Sequence, residues 1–231
     1  MTPRSVLHPV LAACAAAALV VSGPAAARTP LPPAALAVLK ERFPGLQPLA
    51  HALGPLHASG LRDAAVVLGR GERGVRFVAV LWGDAQGGWR FANASGDVDA
   101  ACTGCDVQVR IRDAGLEVGT SDPGALVATV RIWRFAYRGA RGEMLRLVGV
   151  RSERVAPAEA GRGAVHAVSA DLLTGEKLEV DEPAGTQGGE RRERRSRVPL
   201  RQPIAFDQFA WEFRGDAPET RFAPQPARVA R

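Results

Sequence analysis

The sequence predicts a mainly β protein, an antiparallel sandwich or an open barrel with one short N-terminal helix. Short runs rich in β-branched residues recur from residue 64 onwards, and turns containing Gly or Pro separate them. Some of these runs alternate between apolar and polar residues, which is typical of a strand with one face in water. A single segment before them has the composition of a helix instead.

The predicted helix covers residues 32–43, with the sequence PPAALAVLKERF. Proline stands at its start, where its missing N–H costs no hydrogen bond, and good helix formers follow. Pro44 and Gly45 then end it. Residues 44–60 contain proline, glycine and histidine and predict a loop.

The clearest strand signal is DVQVRIRD, residues 106–113. Val107, Val109 and Ile111 fall on one face of this segment, and polar side chains fall on the other. The same reasoning, with turns at the intervening glycines and prolines, predicts ten strands in all. They cover residues 64–68, 75–82, 89–93, 106–113, 116–120, 125–138, 144–155, 164–171, 176–180 and 191–200.

The longest predicted strand carries an aromatic stripe. Trp133, Phe135 and Tyr137 share one face, and Arg134 and Arg138 share the other. Such a stripe could stack against a sugar, but it is more typical of a core. The arginines on the opposite face favour the core interpretation.

The first 27 residues have the features of a secretory signal peptide. Arg4 provides a basic start, residues 10–21 are apolar and uncharged, and Ala27 ends a run of small residues. We expect cleavage after about Ala27 and export to the periplasm. An anchored lipoprotein modified on Cys14 is the alternative, because the segment LAAC has the form of a lipobox.

The chain divides into four predicted segments: the signal peptide 1–27, an N-terminal helix and loop 28–60, a β domain 61–213 and a disordered tail 214–231 rich in Pro and Arg. The 30 basic and 24 acidic residues give a net charge of +6, which becomes +5 when Arg4 leaves with the signal peptide. We predict no transmembrane segment in the exported chain.

Cys102 and Cys105 are the two cysteines that remain after export. An oxidising compartment favours a disulfide between them, as a structural staple. A thiol-disulfide oxidoreductase is an alternative, although the nearby carboxylates Asp97, Asp99 and Asp106 would raise a thiol pKa rather than lower it. A zinc site would need two further ligands, and no histidine stands at a suitable spacing.

No catalytic motif stands out in the sequence. It contains neither G-x-S-x-G nor H-E-x-x-H. His51 and His57 flank a Gly-Pro loop and are predicted to be solvated, and His166 is predicted to be a satisfied strand residue. A hydrolase remains an alternative, with a triad assembled across loops from one of these histidines, a carboxylate and a hydroxyl.

The basic run ERRERRSR, residues 190–197, has the highest local charge. We predict a charged edge strand that discourages aggregation, with binding of an anionic polymer as the alternative. The run contains no aromatic side chain for stacking on bases, and we predict no nucleic-acid partner.

The order of several pieces resembles a group of uncharacterised exported proteins of Gram-negative bacteria. These pieces are LRDAAVVL, VLWGDAQGGWRFAN, the cysteine pair, RIWRFAYR, LRLVGV, SADLLTGEKLEV and FDQF. Relatives carry an acidic loop similar to the calcium-binding FG-GAP motif before their first strand. In the corresponding stretch HASGLRD, residues 57–63, only Asp63 is kept, so the resemblance implies a degenerate calcium loop.

These observations together predict a non-enzymatic periplasmic or envelope-associated binding module. We assign no catalytic residue, no metal ligand and no cofactor. An anionic envelope polymer or another envelope protein is the expected kind of partner.

Overall fold

The computed structural model describes residues 29–57, 61–70, 76–97, 105–122, 128–138, 144–156, 163–184, 190–199 and 204–209. These residues form two antiparallel sheets and one short α-helix. The sheets do not close into a barrel, and the predicted mainly β fold is confirmed as a sandwich with one helix. Within the described residues, no helix is long and apolar enough to cross a membrane.

The helix α1 spans Pro33–Arg42 and ends at Phe43, as the proline and glycine that follow predict. The first sheet has four strands in sequence order, each paired with the next. Its strands are β1 (Gln47–Gly54), β2 (Asp63–Gly69), β3 (Arg76–Gly83) and β4 (Trp89–Ala94).

The second sheet has seven strands, also in sequence order, from β5 at one edge to β11 at the other. Its strands are β5 (Asp106–Arg112), β6 (Gly115–Asp122), β7 (Ala128–Arg138), β8 (Met144–Ala156), β9 (Gly163–Asp171), β10 (Glu176–Ala184) and β11 (Arg192–Arg197). A short 3-10 helix follows at Phe206–Gln208. All ten predicted strands are therefore present.

The loop predicted for residues 44–60 is wrong in its centre. Gln47–Gly54 form the edge strand β1, which pairs antiparallel with β2 from Gln47↔Gly69 to Gly54↔Asp63. The pairing shifts register between Pro48 and Ala50, as expected where proline lacks an N–H for the ladder. The partner strand, rather than local composition, makes this segment extended.

The four-stranded sheet is buried on both faces. On one face, Ala35 and Leu39 of α1 pack against a cluster that includes Val66 and Leu81. On the other face, Val67 belongs to the core that lies between the two sheets. Burial on both faces explains why β2 is an uninterrupted apolar run rather than an alternating one.

The second sheet supplies the other half of the inter-sheet core. Trp133 and Phe135 of β7 are buried there, whereas Arg134 and Arg138 are exposed on the opposite face. The core interpretation of the aromatic stripe is confirmed for these two residues, and Tyr137 is half-buried beside them.

The chain returns to the core after the last strand. Phe206 is fully buried and meets Phe135 edge to face, with the ring centroids 4.9 Å apart. Phe209 contacts Trp133 and Phe135 in the same way. A backbone hydrogen bond from the Leu147 N–H to the Ile204 carbonyl oxygen holds this segment against β8. The FDQF segment thus closes one side of the sandwich.

Candidate functional site

A buried carboxylate lies at the beginning of β2. Asp63 is fully buried, and its Oδ2 accepts the backbone N–H groups of Leu56 and His57, each at 2.9 Å. The Gly83 N–H of β3 approaches Oδ1 at 3.4 Å. These donors provide the hydrogen bonds that a buried carboxylate requires, and they tie the segment before β2 to the four-stranded sheet.

His57 adds its side chain to the same carboxylate. Its Nδ1 lies 2.7 Å from Oδ2 and 2.8 Å from Oδ1 of Asp63, and its side chain is 16% exposed. Because a carboxylate accepts, Nδ1 carries the proton, and Nε2 holds the lone pair when the ring is neutral. The prediction that His57 is solvated is wrong, since Asp63 draws the ring into the fold.

The imidazole also stacks on Trp82 of β3. Their ring centroids are 4.9 Å apart and the planes differ by 21°. Trp82 donates its Nε1–H to the hydroxyl of Tyr137 on β7 at 2.8 Å. The guanidinium of Arg90 lies 4.6 Å from the centroid of the Trp82 ring, within the range of a cation–π contact. His57, Asp63, Trp82, Arg90 and Tyr137 together are called the His57 cluster below.

The His57 cluster contains two parts of a hydrolytic triad. Asp63 orients the imidazole as the acidic member of a triad does, with Nε2 as the basic atom. The hydroxyl in the cluster belongs to Tyr137, and burial raises the pKa of that phenol to about 12. A neutral phenol that already accepts the Trp82 N–H is a poor nucleophile at neutral pH. The cluster therefore contains an oriented base but does not by itself form a complete triad.

The other two histidines lie on strands. His51 is half-buried on β1, so the prediction that it is a solvated loop residue is wrong. His166 lies on β9 opposite Asp181 of β10, with its Nδ1 2.6 Å from the carboxylate oxygen. Both His166 and Asp181 are exposed, and this pair agrees with the prediction of a satisfied strand residue.

The arginine-rich strand β11 forms an outer edge of the seven-stranded sheet. All six of its residues are exposed. The prediction of a charged edge strand at 190–197 is thereby confirmed. Residues at successive positions of a strand point to opposite faces. Arg192 and Arg194 therefore share one face, and Arg195 and Arg197 share the other.

The pairing register identifies the face to which each arginine belongs. Residues directly opposite one another on paired strands lie on the same face. One such row begins with buried Val150 and Ala170 and continues through Lys177 to Ser196. Arg192 and Arg194 differ from Ser196 by an even number of positions. They consequently lie on the same face of the seven-stranded sheet as the inter-sheet core. That core covers the part of this face that is nearer to β5.

Two polar rows cross this same face near the β11 edge. One row runs through Arg154, His166, Asp181 and Arg192, and the other ends with Glu179 beside Arg194. A hydrogen bond from Lys177, together with the nearby charges of Arg194 and His166, lowers the pKa of Glu179. These six residues (Arg154, His166, Glu179, Asp181, Arg192 and Arg194) are called the polar extension below.

Several predicted features lie outside the described residues. They are the signal cleavage site at Ala27, the possible lipidation site Cys14, the tail 214–231 and Cys102. The Cys102–Cys105 pairing therefore stays a prediction. Cys105 itself is buried, and its carbonyl oxygen accepts a hydrogen bond from the buried guanidinium of Arg76 at 2.6 Å.

The predicted degenerate calcium loop, residues 57–63, lies only partly within the described residues. Asp63, the one carboxylate that it keeps, faces N–H donors, which do not ligate a cation. In the part of the chain that the structure describes, no group of three or more His, Cys, Asp or Glu side chains could hold a metal ion. The resemblance to FG-GAP proteins stays a prediction.

Sequence reasoning missed both the His57 cluster and the polar extension. One signal for the first was present: Asp63 directly precedes the apolar run AAVVL, where a charged residue is buried only if it has partners. No comparable local signal exists for the polar extension. It depends on which residues of four strands lie opposite one another.

Comparison with protein-family models, curated proteins and solved structures found no significant match to this chain.

Proposed function

We propose that this protein is exported to the bacterial envelope and acts there as a non-catalytic module that binds an anionic partner. The observation that carries the proposal is the edge strand β11, in which six exposed residues include four arginines. An exposed strand edge is a template for pairing with another chain, and closely spaced like charges oppose such pairing. The same charges attract an anionic polymer or an acidic protein surface.

The proposed location is supported by the N-terminal sequence. A basic start, an uncharged apolar run and small residues before Ala27 are typical of a cleaved signal peptide. The exported chain would carry a net charge of +5, which favours contact with the anionic surfaces of an envelope. A lipid on Cys14 would keep the same module at a membrane surface instead.

The experiment is cosedimentation of the purified protein with isolated envelope fragments at low and high salt. We expect binding at low salt that is lost at high salt, because exposed charges are screened within about 10 Å at 0.1 M salt. Replacing all four β11 arginines, Arg192, Arg194, Arg195 and Arg197, by Gln should abolish it.

The control variant changes the same amount of charge elsewhere. Arg110, Arg112, Arg134 and Arg138 are also exposed, and they lie on β5 and β7 of the same sheet. Their replacement by Gln should leave binding within about twofold of the wild type, because the proposal assigns them no contact. Equal loss of binding in both fourfold variants would contradict a role specific to β11.

A hydrolase is the second candidate, favoured by the 2.7 Å contact between His57 Nδ1 and Asp63. Covalent labelling by a serine-directed phosphonate, lost in the His57→Gln variant, would support it. Absence of labelling at every pH tested would remove the serine-dependent form of this function. The thiol-disulfide alternative has less support, since the carboxylates close to the cysteine pair in the sequence would raise a thiol pKa rather than lower it.

A further inference from the structure

We propose that the polar extension binds an acidic polysaccharide, with Arg192 and Arg194 contacting the carboxylates of successive sugar units. This inference rests on the proposed function and names both the face that binds and the class of ligand. Three observations support it: the different charges on the two faces of strands β8–β11, the exposure of the Arg192 and Arg194 guanidinium groups, and the arrangement of hydrogen-bond donors and acceptors around them.

The two faces of strands β8–β11 differ in charge. On the face that carries the polar extension, the described charged side chains comprise four basic and two acidic groups. The basic ones are Arg154, Lys177, Arg192 and Arg194, and the acidic ones are Glu179 and Asp181. On the opposite face they are four basic and five acidic: Arg146, Arg151, Arg195 and Arg197 against Glu153, Asp171, Glu176, Glu182 and Glu193. An anionic ligand is therefore attracted to the first face and not to the second.

The carboxylates of the polar extension have partners other than the β11 arginines. Glu179 pairs with Lys177 at 2.6 Å, and Asp181 pairs with His166 at 2.6 Å. Within the described ranges, neither the Arg192 nor the Arg194 guanidinium makes a hydrogen bond or ion pair. Both are exposed. Their guanidinium groups are thus available for bidentate contacts with carboxylates.

The spacing of the arginines suits a linear ligand. Arg192 and Arg194 are two residues apart on one strand, which separates them by about 7 Å. Arg154 lies in the same row as Arg192 but three strands away, or about 14 Å. A chain with repeated single charges can contact these positions in turn, whereas a small monoanion can contact only one.

The mixture of donors and acceptors favours a polysaccharide over other polyanions. Arginine donates hydrogen bonds, whereas the carboxylate oxygens of Asp181 and Glu179 accept them. An acidic polysaccharide offers carboxylates to the arginines and hydroxyl groups to the carboxylate oxygens. A polyphosphate has no comparable hydroxyl donors for these carboxylate oxygens. Strands β9–β11 contain no Phe, Trp or Tyr on which nucleic-acid bases could stack.

The experiment compares two double variants of one strand. Arg192→Gln with Arg194→Gln changes the proposed face, and Arg195→Gln with Arg197→Gln removes the same charge from the opposite face. Binding of each protein to polygalacturonate is measured by titration calorimetry, with neutral dextran and polyphosphate as comparison polymers. Circular dichroism checks that both variants remain folded.

We expect the wild type to bind polygalacturonate and not dextran. The Arg192/Arg194 variant should bind about tenfold more weakly, since the two lost charged contacts together are worth about that factor. The Arg195/Arg197 variant should stay within about twofold, because its charges lie on the other face.

The remaining outcomes separate this inference from the proposed function. Equal weakening in both variants, or binding of polyphosphate in preference to polygalacturonate, would overturn the inference and leave an anion-binding edge. Failure of the wild type to bind either charged polymer, together with no salt-dependent binding to envelope fragments, would overturn both.

Discussion

Trp82 of the four-stranded sheet donates its indole N–H to the hydroxyl of Tyr137 on the seven-stranded sheet at 2.8 Å. The two rings lie 5.7 Å apart with an interplanar angle of 57°. This contact joins the two sheets directly beside the buried Asp63–His57 pair. The His57 cluster therefore includes a hydrogen bond that links the two sheets.

The titration of Tyr137 gives the first prediction. Burial raises the pKa of its phenol from 10.0 to about 12. As the pH rises, the unfolded chain therefore loses this proton before the folded protein does. The free energy of unfolding should fall between pH 10 and about 12, by roughly 1.4 kcal/mol per pH unit.

This titration can be followed without ambiguity because Tyr137 is the only tyrosine in the chain. The absorbance of tyrosinate should rise with a midpoint near pH 12 in the folded protein and near pH 10 in denaturant. The Tyr137→Phe variant should show no such signal and a flatter dependence of stability on pH. A midpoint near 10 under native conditions would mean that the phenol is solvated.

The Asp63–His57 interaction is tested by a double-mutant cycle. Asp63→Asn should lower the free energy of unfolding by about 1–3 kcal/mol, because it presents an amide to three N–H donors. His57→Gln removes the ring from the same carboxylate. The two losses should not be additive. The double variant should lose at least about 1 kcal/mol less stability than the two single variants lose in sum. Strictly additive losses, measured by urea unfolding, would show that the two side chains are uncoupled.

Gly83 has no room for a side chain. A Cβ at this position would lie well inside van der Waals contact with the carbonyl oxygen of Arg62, which is backbone and cannot rotate away. Gly83→Ala should therefore cost about 1–3 kcal/mol of stability. Gly119→Ala is the matched control, since its Cβ would meet only ordinary contacts, the closest at 3.6 Å. Similar melting temperatures for the two variants would argue against close packing at Gly83.

The β5–β6 turn contains two residues with positive φ. Asp113 has φ 50° and Ala114 has φ 52°, in the left-handed region where glycine is preferred. Ala114→Gly should stabilise the protein by up to about 1 kcal/mol. The relief of backbone strain in the folded protein should outweigh the entropic cost of ordering the more flexible glycine. Ala136→Gly in the extended strand β7 should destabilise it instead, as measured by thermal unfolding.

The predicted Cys102–Cys105 disulfide is tested by intact mass after alkylation with and without reduction. Neither cysteine should react before reduction, and both should react afterwards. Closing so small a ring should stabilise the fold by about 2 kcal/mol in the chain-entropy model. Free alkylation of both thiols in the unreduced protein would contradict the staple.

The same mass spectrum tests the predicted N-terminal processing, since it shows whether the chain begins after Ala27 or carries a lipid on Cys14.

The ten strands from β2 to β11 could be predicted because their signals are local. Alternation of Val107, Val109 and Ile111 with polar residues specifies a face within one short segment. The aromatic stripe at Trp133 and Phe135 specified a core face in the same way. The prediction failed at β1, where alanines, Pro48 and His51 give a weak pattern and pairing with β2 decides the conformation.

The sequence by itself therefore determined the ten strands from β2 to β11, the short helix, the charged edge predicted at residues 190–197 and the buried stripe of β7. Only the tertiary structure decided that Asp63 holds His57 against Trp82, and that Arg192 and Arg194 share a face with Arg154. The physical reason is that a strand's two faces follow from its own alternation. Contacts between side chains on different strands follow instead from pairing register and from the approach of the two sheets, which no single segment encodes.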